Sequence, residues 1–394
     1  MNQRKRYGLS GEDVDLRWQA FLRRFDLEHG RRRESATGDP GVSPDRTSTG
    51  VQIPKPGRPG EFRPLSIPTV ADRVVMTAAK LVMEPVFEAQ FTEASYGFRP
   101  KRSAIDACEA VRVAANQRRE WVLEADIRDC FGTIDHEALM AQVARRVVDR
   151  PMLKLIRAWL RMGVLEGGVT SPTGAGTPQG SPFPPLLANI ALHVLDEAWQ
   201  NEGRRLGTLV RYCDDFVVLS PTEQRAEQAR ELAARVLEQL GMRLHPEKTG
   251  IVRLTRGGQG FDFLGFHHRK MESWKWRGRY YLQRWPSARA MRVLRDKVRA
   301  ATARSKTERP VSAVVADLNP VLRGWAAYFR NGNSGRKFNV VDGYVHERLA
   351  IFASAKHRLA GRNWTTRFTY EWITRLGVYR LTGNVHRATA HASR

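Results

Sequence analysis

Cysteine is scarce in this sequence, and no long apolar run is present. The three cysteines, Cys108, Cys130 and Cys213, are too scattered for a disulfide framework or a zinc site, so we expect reduced thiols. No run approaches the roughly 20 apolar residues of a membrane span. The charged start, Met1 to Tyr7, lacks the apolar core of a secretory signal. These absences predict a cytoplasmic protein with no membrane partner.

Acidic residues are also few: 41 Asp and Glu stand against 65 Lys and Arg, giving a formal net charge of +24. Residues 269–394 contain 27 basic and 7 acidic residues, which is 20 of the 24 excess charges. Such a field attracts polyanions, and salt weakens it. Two alternative interpretations of this charge are a basic face that is merely solvated and a surface that binds an anionic membrane. We predict nucleic acid as the partner, with the last third of the chain along the phosphates.

Composition changes along the chain predict four segments. Residues 1–50 are polar and Arg-rich with many turn formers, and we predict a loose basic segment. In residues 51–270, apolar runs at helical spacing alternate with short strand-like runs, which predicts an α+β fold. Residues 271–360 begin with a basic segment rich in Trp and continue with three helical patterns, so we predict a separate helical domain. Residues 361–394 form a basic C-terminal tail.

The most informative pattern is a pair of adjacent carboxylates between two apolar strand candidates. Strands predicted at 209–212 and 216–219 flank a tight turn that contains Asp214 and Asp215. Asp is common in turns for conformational reasons alone. Two like charges among Val, Phe and Leu, however, would repel and raise each other's pKa unless a cation neutralised them. Both interpretations stay open on this evidence.

A third carboxylate favours the metal interpretation. The apolar strand predicted at 121–125 ends at Asp126, about where a neighbouring strand would bring it beside the turn. Mg²⁺ is usually held by a few carboxylates together with substrate phosphates. Two such ions can activate an attacking oxygen and stabilise a leaving one. The three aspartates therefore predict two Mg²⁺ ions and phosphoryl-transfer chemistry.

The order of further motifs resembles a known family. A Pro-Gln-Gly loop at 176–182 and an apolar helix-like run at 186–192 lie between the acidic strand and the Tyr-Cys-Asp-Asp turn. In this order and spacing they resemble the palm motifs of reverse transcriptases. Five further segments narrow the resemblance to the group II intron type: 63–73, 95–100, 126–136, 246–249 and 263–266. Residues 322–329 are similar to the thumb and maturase region of intron-encoded proteins.

This resemblance covers about residues 51–359 and implies a right-hand polymerase, with fingers and palm in 51–270 and a helical thumb or maturase domain in 271–360. It implies that Asp126, Asp214 and Asp215 bind the metal ions and that the backbone of Ile127 faces them. Lys248 would act as a proton donor near the leaving pyrophosphate. Four residues would contact the nucleotide or template: Lys55 and Arg63 over the triphosphate, Phe131 against the sugar, and Gln179 beside the base pair. The competing interpretations are plain surface charge for the basic residues and packing in the core for Phe131.

The implied function is an RNA-directed DNA polymerase that extends a DNA or RNA primer with dNTPs on an RNA template. A maturase role on group II intron RNA, in splicing and mobility, would accompany it. Three alternatives remain open: a domesticated polymerase in phage defence or DNA repair, an RNA-binding splicing factor without polymerase activity, and a viral-type RNA-dependent RNA polymerase. The aromatic residues between 274 and 285 suit either base stacking or a small core.

Overall fold

The computed structural model describes residues 48–54, 62–161, 164–166, 169–171, 176, 183–273, 276–357 and 367–385. The chain divides into two compact units, Met1–Val252 and Arg253–Arg394. This division precedes the boundary that we drew at residue 270, because a sheet formed by residues 261–286 lies within the second unit. The assignment of fingers, palm and thumb to exact ranges stays a prediction.

The first unit contains eight strands and seven helices among its described residues. In chain order they are β1 (Ser48–Pro54), β2 (Phe62–Ile67), α1 (Val70–Glu88), α2 (Ala104–Asn116), β3 (Trp121–Asp126), α3 (Cys130–Thr133), α4 (His136–Ala144), α5 (Arg150–Leu160), β4 (Val164–Glu166), β5 (Val169–Ser171), α6 (Pro184–Ala198), β6 (Thr208–Tyr212), β7 (Asp215–Ser220), α7 (Glu223–Glu238) and β8 (Gly250–Arg253). A π-helical turn, Trp199–Gly203, extends α6.

Two sheets organise this unit. One has the strand order β2-β1-β4-β5, and the other has the order β6-β7-β3-β8. In the second sheet β7 lies between β6 and β3 and is antiparallel to both. Residues 216–220 of β7 are all buried, which is why this strand reads as a continuous apolar run rather than an alternating one.

Local sequence explains where the helices begin. At the starts of α1, α2, α4, α5 and α7, a side-chain oxygen accepts a hydrogen bond from a first-turn N–H, and these oxygens belong to Thr69, Ser103, Asp135, Asp149 and Thr222. Such caps satisfy donors that have no partner inside the helix. The apolar faces of the helices then pack with the strands into one core, which includes Met83, Leu123, Leu139, Ile156, Leu192 and Leu237.

The second unit joins a small sheet to helices. Its elements are β9 (Phe261–Phe263), β10 (Phe266–Glu272), β11 (Tyr280–Pro286), α8 (Ala288–Ala301), α9 (Val311–Phe329), α10 (Gly335–Lys356) and α11 (Tyr370–Arg375). The three strands pair antiparallel in the order β11-β10-β9. Helices α8, α9 and α10 pack against one another. This mixture of helices with mainly antiparallel sheets, in which β1 and β4 pair in parallel, confirms the predicted α+β class.

The apolar run at residues 261–266 is divided between two strands, β9 and β10. Leu264 and Gly265 both have positive φ, at 49° and 78°, and they form the two-residue turn between β9 and β10. Positive φ at both central positions is typical of tight hairpins. Leu264 continues the apolar run in the sequence, so Gly265 alone marks this turn. No described helix is long and apolar enough to span a membrane.

Candidate active site

The acidic turn connects β6 and β7 through two residues, Cys213 and Asp214. Cys213 has φ 58°, a left-handed conformation that is uncommon for residues other than Gly. Such conformations persist where surrounding structure enforces them, and they cluster at functional sites. Gly97 lies directly against this turn: a Cβ atom at that position would come within 2.5 Å of the Cys213 nitrogen. The turn is therefore packed against another segment and is not free to relax.

Strand register brings the first carboxylate to the turn. Asp126, the last residue of β3, pairs with Asp215, the first residue of β7. Residues directly opposite in an antiparallel pair share a face, with their Cα atoms about 4.5–5.5 Å apart. The predicted neighbourhood of Asp126 and the acidic turn is therefore present, and Asp214 follows in the same turn.

Electrostatics at the turn differ from those of ordinary surface carboxylates. The pKa of Asp215 rises from 3.8 to about 7 because surrounding protein desolvates the carboxyl group, Asp214 repels its charge, and Asp126 hydrogen bonds with it. Asp215 lies at the exposed start of β7, and the two neighbouring carboxylates repel its charge there. A cation would relieve this repulsion.

Lys248 supplies a positive charge at this position. Its Nζ atom forms an ion pair with Asp126 Oδ2. The segment before it is held to the end of β3, because the His245 N–H donates to the Asp126 carbonyl at 2.8 Å. The Lys248 side chain is 42% exposed, against 15% for Asp126. The prediction that Lys248 lies at the site agrees with this placement, and its chemical role stays a prediction.

The backbone of Ile127 is directed towards the acidic turn. Its two flanking ladder bonds are His245 N–H to Asp126 C=O and Arg128 N–H to Arg243 C=O, and Ile127 itself pairs with Leu244. A residue between such bonds directs its own N–H and C=O away from that partner. They therefore point to the opposite edge of β3, the side on which β7 lies.

A complete metal site is not preformed. Within the described ranges, no three His, Cys, Asp or Glu side chains are grouped so that they could hold a metal ion. Asp126 is engaged by Lys248 and by Asp215. The donor types nevertheless fit Mg²⁺, because only carboxylate and backbone oxygens are offered. The ligand set Asp126, Ile127, Asp214 and Asp215 stays a prediction.

A buried arginine supports the turn from inside. Arg211 on β6 is fully buried and donates to both carboxylate oxygens of Asp196 on α6, at 2.9 and 2.5 Å. It also donates to the Cys213 carbonyl at 3.0 Å, to Asn189 Oδ1 at 3.1 Å and to Ser95 Oγ at 2.9 Å. Burial alone would raise the pKa of Asp196, but the contact with Arg211 more than offsets this and lowers it. The pair is therefore ionised.

Asn189 continues this network to the segment that packs on the turn. Its Nδ2 atom donates to the Gly97 carbonyl at 2.8 Å, and the Tyr96 N–H donates to the Arg211 carbonyl at 2.8 Å. Sequence reasoning did not assign roles to Arg211, Asp196 or Asn189. The available signal was a charged residue inside an apolar strand and another inside an apolar helix, since unpaired charges are rarely buried.

Phe131 lies beside the start of the Pro-Gln-Gly loop. It is partly buried against the main core and partly exposed, so both the sugar-contact and the core interpretations remain open. Gly176, which has φ 86°, approaches so closely that a Cβ atom would lie 2.6 Å from the Phe131 carbonyl oxygen. The Gly176 N–H donates to the Ile134 carbonyl at 2.9 Å. These contacts fix where the loop begins.

Three predicted substrate residues cannot be placed by their side chains. Lys55 and Gln179 lie outside the described residues. Arg63 lies in β2, where its backbone pairs with Ile53 on β1. The proposed contacts of these residues with the triphosphate and template stay predictions.

Comparison with known proteins identifies the class. Residues 53–268 match the family model described as reverse transcriptase (RNA-dependent DNA polymerase). Because this match covers more than half of the chain, the protein belongs to the reverse transcriptase family. Residues 291–370 match the group II intron maturase-specific domain, which confirms the resemblance to the group II intron type.

Individual relatives agree with this assignment. The chain is 34% identical to protein YkfC of Escherichia coli (strain K12) over 251 residues, which is 55% of this chain and 65% of that protein. It is 39% identical to the group II intron-encoded protein LtrA of Lactococcus lactis subsp. cremoris over 137 residues, 35% of this chain and 23% of that protein. The chain therefore spans less than two thirds of the length of these relatives.

Similarity to solved structures is weak. A telomerase structure from Candida albicans, in complex with a fragment of telomeric RNA, aligns with a TM-score of 0.46 and 12% identity over 84% of this chain and 62% of that chain.

Proposed function

We propose that this protein is an RNA-directed DNA polymerase of group II intron type that joins dNTPs to a primer 3′ end on an RNA template. The observation that carries the proposal is the pairing of Asp126 with Asp215 beside Asp214, with the pKa of Asp215 raised to about 7. A divalent cation would reduce the repulsion between carboxylates in this arrangement. Membership of the reverse transcriptase family supports the same chemistry.

The three aspartates and the Ile127 carbonyl would hold two Mg²⁺ ions. When bound, such ions activate the primer 3′ oxygen and stabilise charge on the leaving pyrophosphate. The ion pair with Lys248 engages only the Oδ2 atom of Asp126, so this carboxylate could still serve as a metal ligand. The Lys248 ammonium group, already at the site, would donate a proton towards the pyrophosphate.

The proposed nucleotide contacts rest on the resemblance to reverse transcriptases and, for Phe131, also on its place beside Gly176. Phe131 adjoins the start of the Pro-Gln-Gly loop, so an aromatic ring there would restrict the space beside the sugar and disfavour a 2′-hydroxyl. Gln179 belongs to that same loop and would contact the base pair. Lys55 and Arg63 would neutralise the triphosphate, where fixed cations stabilise developing charge.

A maturase role on group II intron RNA is the second part of the proposal. The match of residues 291–370 to the maturase-specific domain supports it, and so does the excess of 20 positive charges after residue 268. Phosphate contacts by such a surface release counterions and give binding that weakens steeply with salt. A domesticated enzyme in defence or repair would use the same site with a different RNA.

Primer extension tests the polymerase proposal. Asp214→Asn should reduce extension on an RNA template by at least about a hundredfold, since one metal-binding charge is lost. The fold should persist, because repulsion with Asp215 decreases. Glu227→Gln is a matched control, because it removes an exposed carboxylate that pairs with Arg230 on the surface of α7. Near wild-type extension by the Asp214 variant would exclude the proposed site.

A further inference from the structure

The hairpin formed by β10 and β11 in the second unit has basic and aromatic residues at one end. The two strands stay paired up to Glu272 and Tyr280, at the end of the hairpin where the connecting loop begins. Arg279 lies over the ring of Trp276, with its guanidinium carbon 5.7 Å from the ring centroid. Arg256 lies over the ring of Tyr280 at 4.9 Å. Two arginine–aromatic pairs thus adjoin one hairpin end.

Hydrogen bonds order this end of the hairpin. The Trp276 N–H donates to Ser273 Oγ at 3.2 Å, and the Gly278 N–H donates to Glu272 Oε1 at 2.7 Å. The Ser273 N–H donates to the Arg279 carbonyl at 2.8 Å, and the Arg279 N–H donates to the Trp276 carbonyl at 3.2 Å. Gly278 has φ 79°, a conformation that Gly adopts without strain. The backbone that carries Trp276 is therefore already fixed.

Trp276 is nevertheless 55% exposed. Trp is enriched at binding interfaces, because its large ring can be buried there by another molecule. Four arginines at positions 256, 269, 277 and 279 and one lysine at 270 belong to this sheet or adjoin it, against Asp262 and Glu272. The charge favours a polyanion, and the exposed part of the Trp276 side chain belongs to a flat aromatic ring.

We propose that Trp276 is a stacking platform for an unpaired nucleobase of single-stranded RNA. Aromatic rings beside cationic groups bind single strands because every base has a π face and every linkage has a phosphate. Arg279 holds the ring by a cation–π contact and adds charge next to it. A paired base in a duplex is already stacked on both sides and cannot use the platform. This inference rests on the proposed function only in taking RNA as the partner.

Binding of a fluorescent RNA tests the inference. The probe is a single strand of about 12 nucleotides with one central 2-aminopurine, measured with the full chain in the absence of dNTPs. Trp276→Leu keeps an apolar side chain but removes the π face. We expect its Kd to increase about tenfold, which equals about 1.4 kcal/mol, and quenching of 2-aminopurine to decrease. Trp276→Phe keeps a ring, and its Kd should stay within about threefold of wild type.

Three controls separate stacking from general binding. The same RNA annealed to its complement should bind wild type and Trp276→Leu equally. The slope of log affinity against log salt should not change, because no phosphate contact is lost. Tyr370→Ala removes a ring that is 54% exposed and also carries an arginine, Arg380, at 5.9 Å, and it should leave the Kd unchanged. Thermal unfolding establishes that each variant is folded.

Equal affinity of wild type and Trp276→Leu for the single strand would overturn the inference. So would an equal loss on the duplex, or an equal loss in Tyr370→Ala. Primer extension by the wild-type chain is measured in parallel. A chain that extends primers but does not need Trp276 for binding refutes the platform alone. A chain that stacks the probe on Trp276 but extends nothing refutes the polymerase proposal alone.

Discussion

The buried ion pair of Arg211 and Asp196 allows the role of the network under the acidic turn to be tested. Both side chains have zero exposed surface, and the closest oxygen–nitrogen distance is 2.5 Å. Removing one partner leaves an uncompensated buried charge, which costs about 3–5 kcal/mol. We therefore expect Asp196→Leu and Arg211→Met each to lower the free energy of unfolding by that amount, measured by chemical denaturation of the full chain.

The double variant separates stability from function. Replacing a buried ion pair by apolar residues of similar size is often neutral or stabilising, so Asp196→Leu with Arg211→Met should recover most of the lost stability. It cannot restore the hydrogen bonds from Arg211 to the Cys213 carbonyl and to Ser95. Those bonds hold the turn in its left-handed conformation. Primer extension should therefore stay reduced at least about tenfold in the refolded double variant.

An exposed pair provides the control. Arg235 and Glu202 are 2.6 Å apart but 61% and 57% exposed, and pairs of that kind contribute about 0–1 kcal/mol. Glu202→Gln should therefore change stability by less than about 1 kcal/mol. If Asp196→Leu costs no more than this control, the buried-charge reasoning is wrong. If the double variant regains full extension, the network serves folding and does not position the turn.

Two further predictions concern the acidic site and the sugar contact. The folded pKa of Asp215, about 7, lies above the unfolded value of 3.8, so the metal-free protein should lose stability as pH rises between these values. Mg²⁺ competes with that proton, so the increase in melting temperature on adding Mg²⁺ should be larger at pH 8 than at pH 5.5. An equal increase at both pH values would contradict the assignment of Asp215 as a metal ligand. Phe131→Ala should raise ribonucleotide incorporation relative to deoxynucleotide by about tenfold in single-nucleotide primer extension, and an unchanged ratio would make Phe131 a core residue.

Local sequence was sufficient for the elements that form the candidate site. The strand predicted at 121–125 is observed at Trp121–Asp126, and those predicted at 209–212 and 216–219 are observed at Thr208–Tyr212 and Asp215–Ser220. Apolar runs bounded by acids and turn residues are a local signal, so they can be read from one segment at a time. The acidic turn was predicted for the same reason, although it consists of Cys213 and Asp214, and Asp215 already belongs to β7.

The support beneath the turn could not be predicted in the same way. Ser95, Asn189, Asp196 and Arg211 meet only after four segments have packed together, and no local pattern encodes that meeting. Gly97 resembles any turn glycine in the sequence, whereas its requirement for glycine comes from the backbone of Cys213 lying 2.5 Å from the missing Cβ. Interactions between distant segments are specified by tertiary packing and need the structure.

Register explains why two strands suffice to assemble the carboxylates. Side chains alternate along a strand, so a slip of one residue between β3 and β7 would place Asp126 opposite Phe216 and move its carboxylate to the other face. Pairing of Trp121–Asp126 with Asp215–Ser220 is continuous, and both strands contribute buried apolar side chains that a slip would misplace. The apolar residues of β7 thus fix the position of the acidic ones. The same register pairs Ala125 with Phe216 and Asp126 with Asp215. Packing inside the sheet therefore determines the geometry of its polar end.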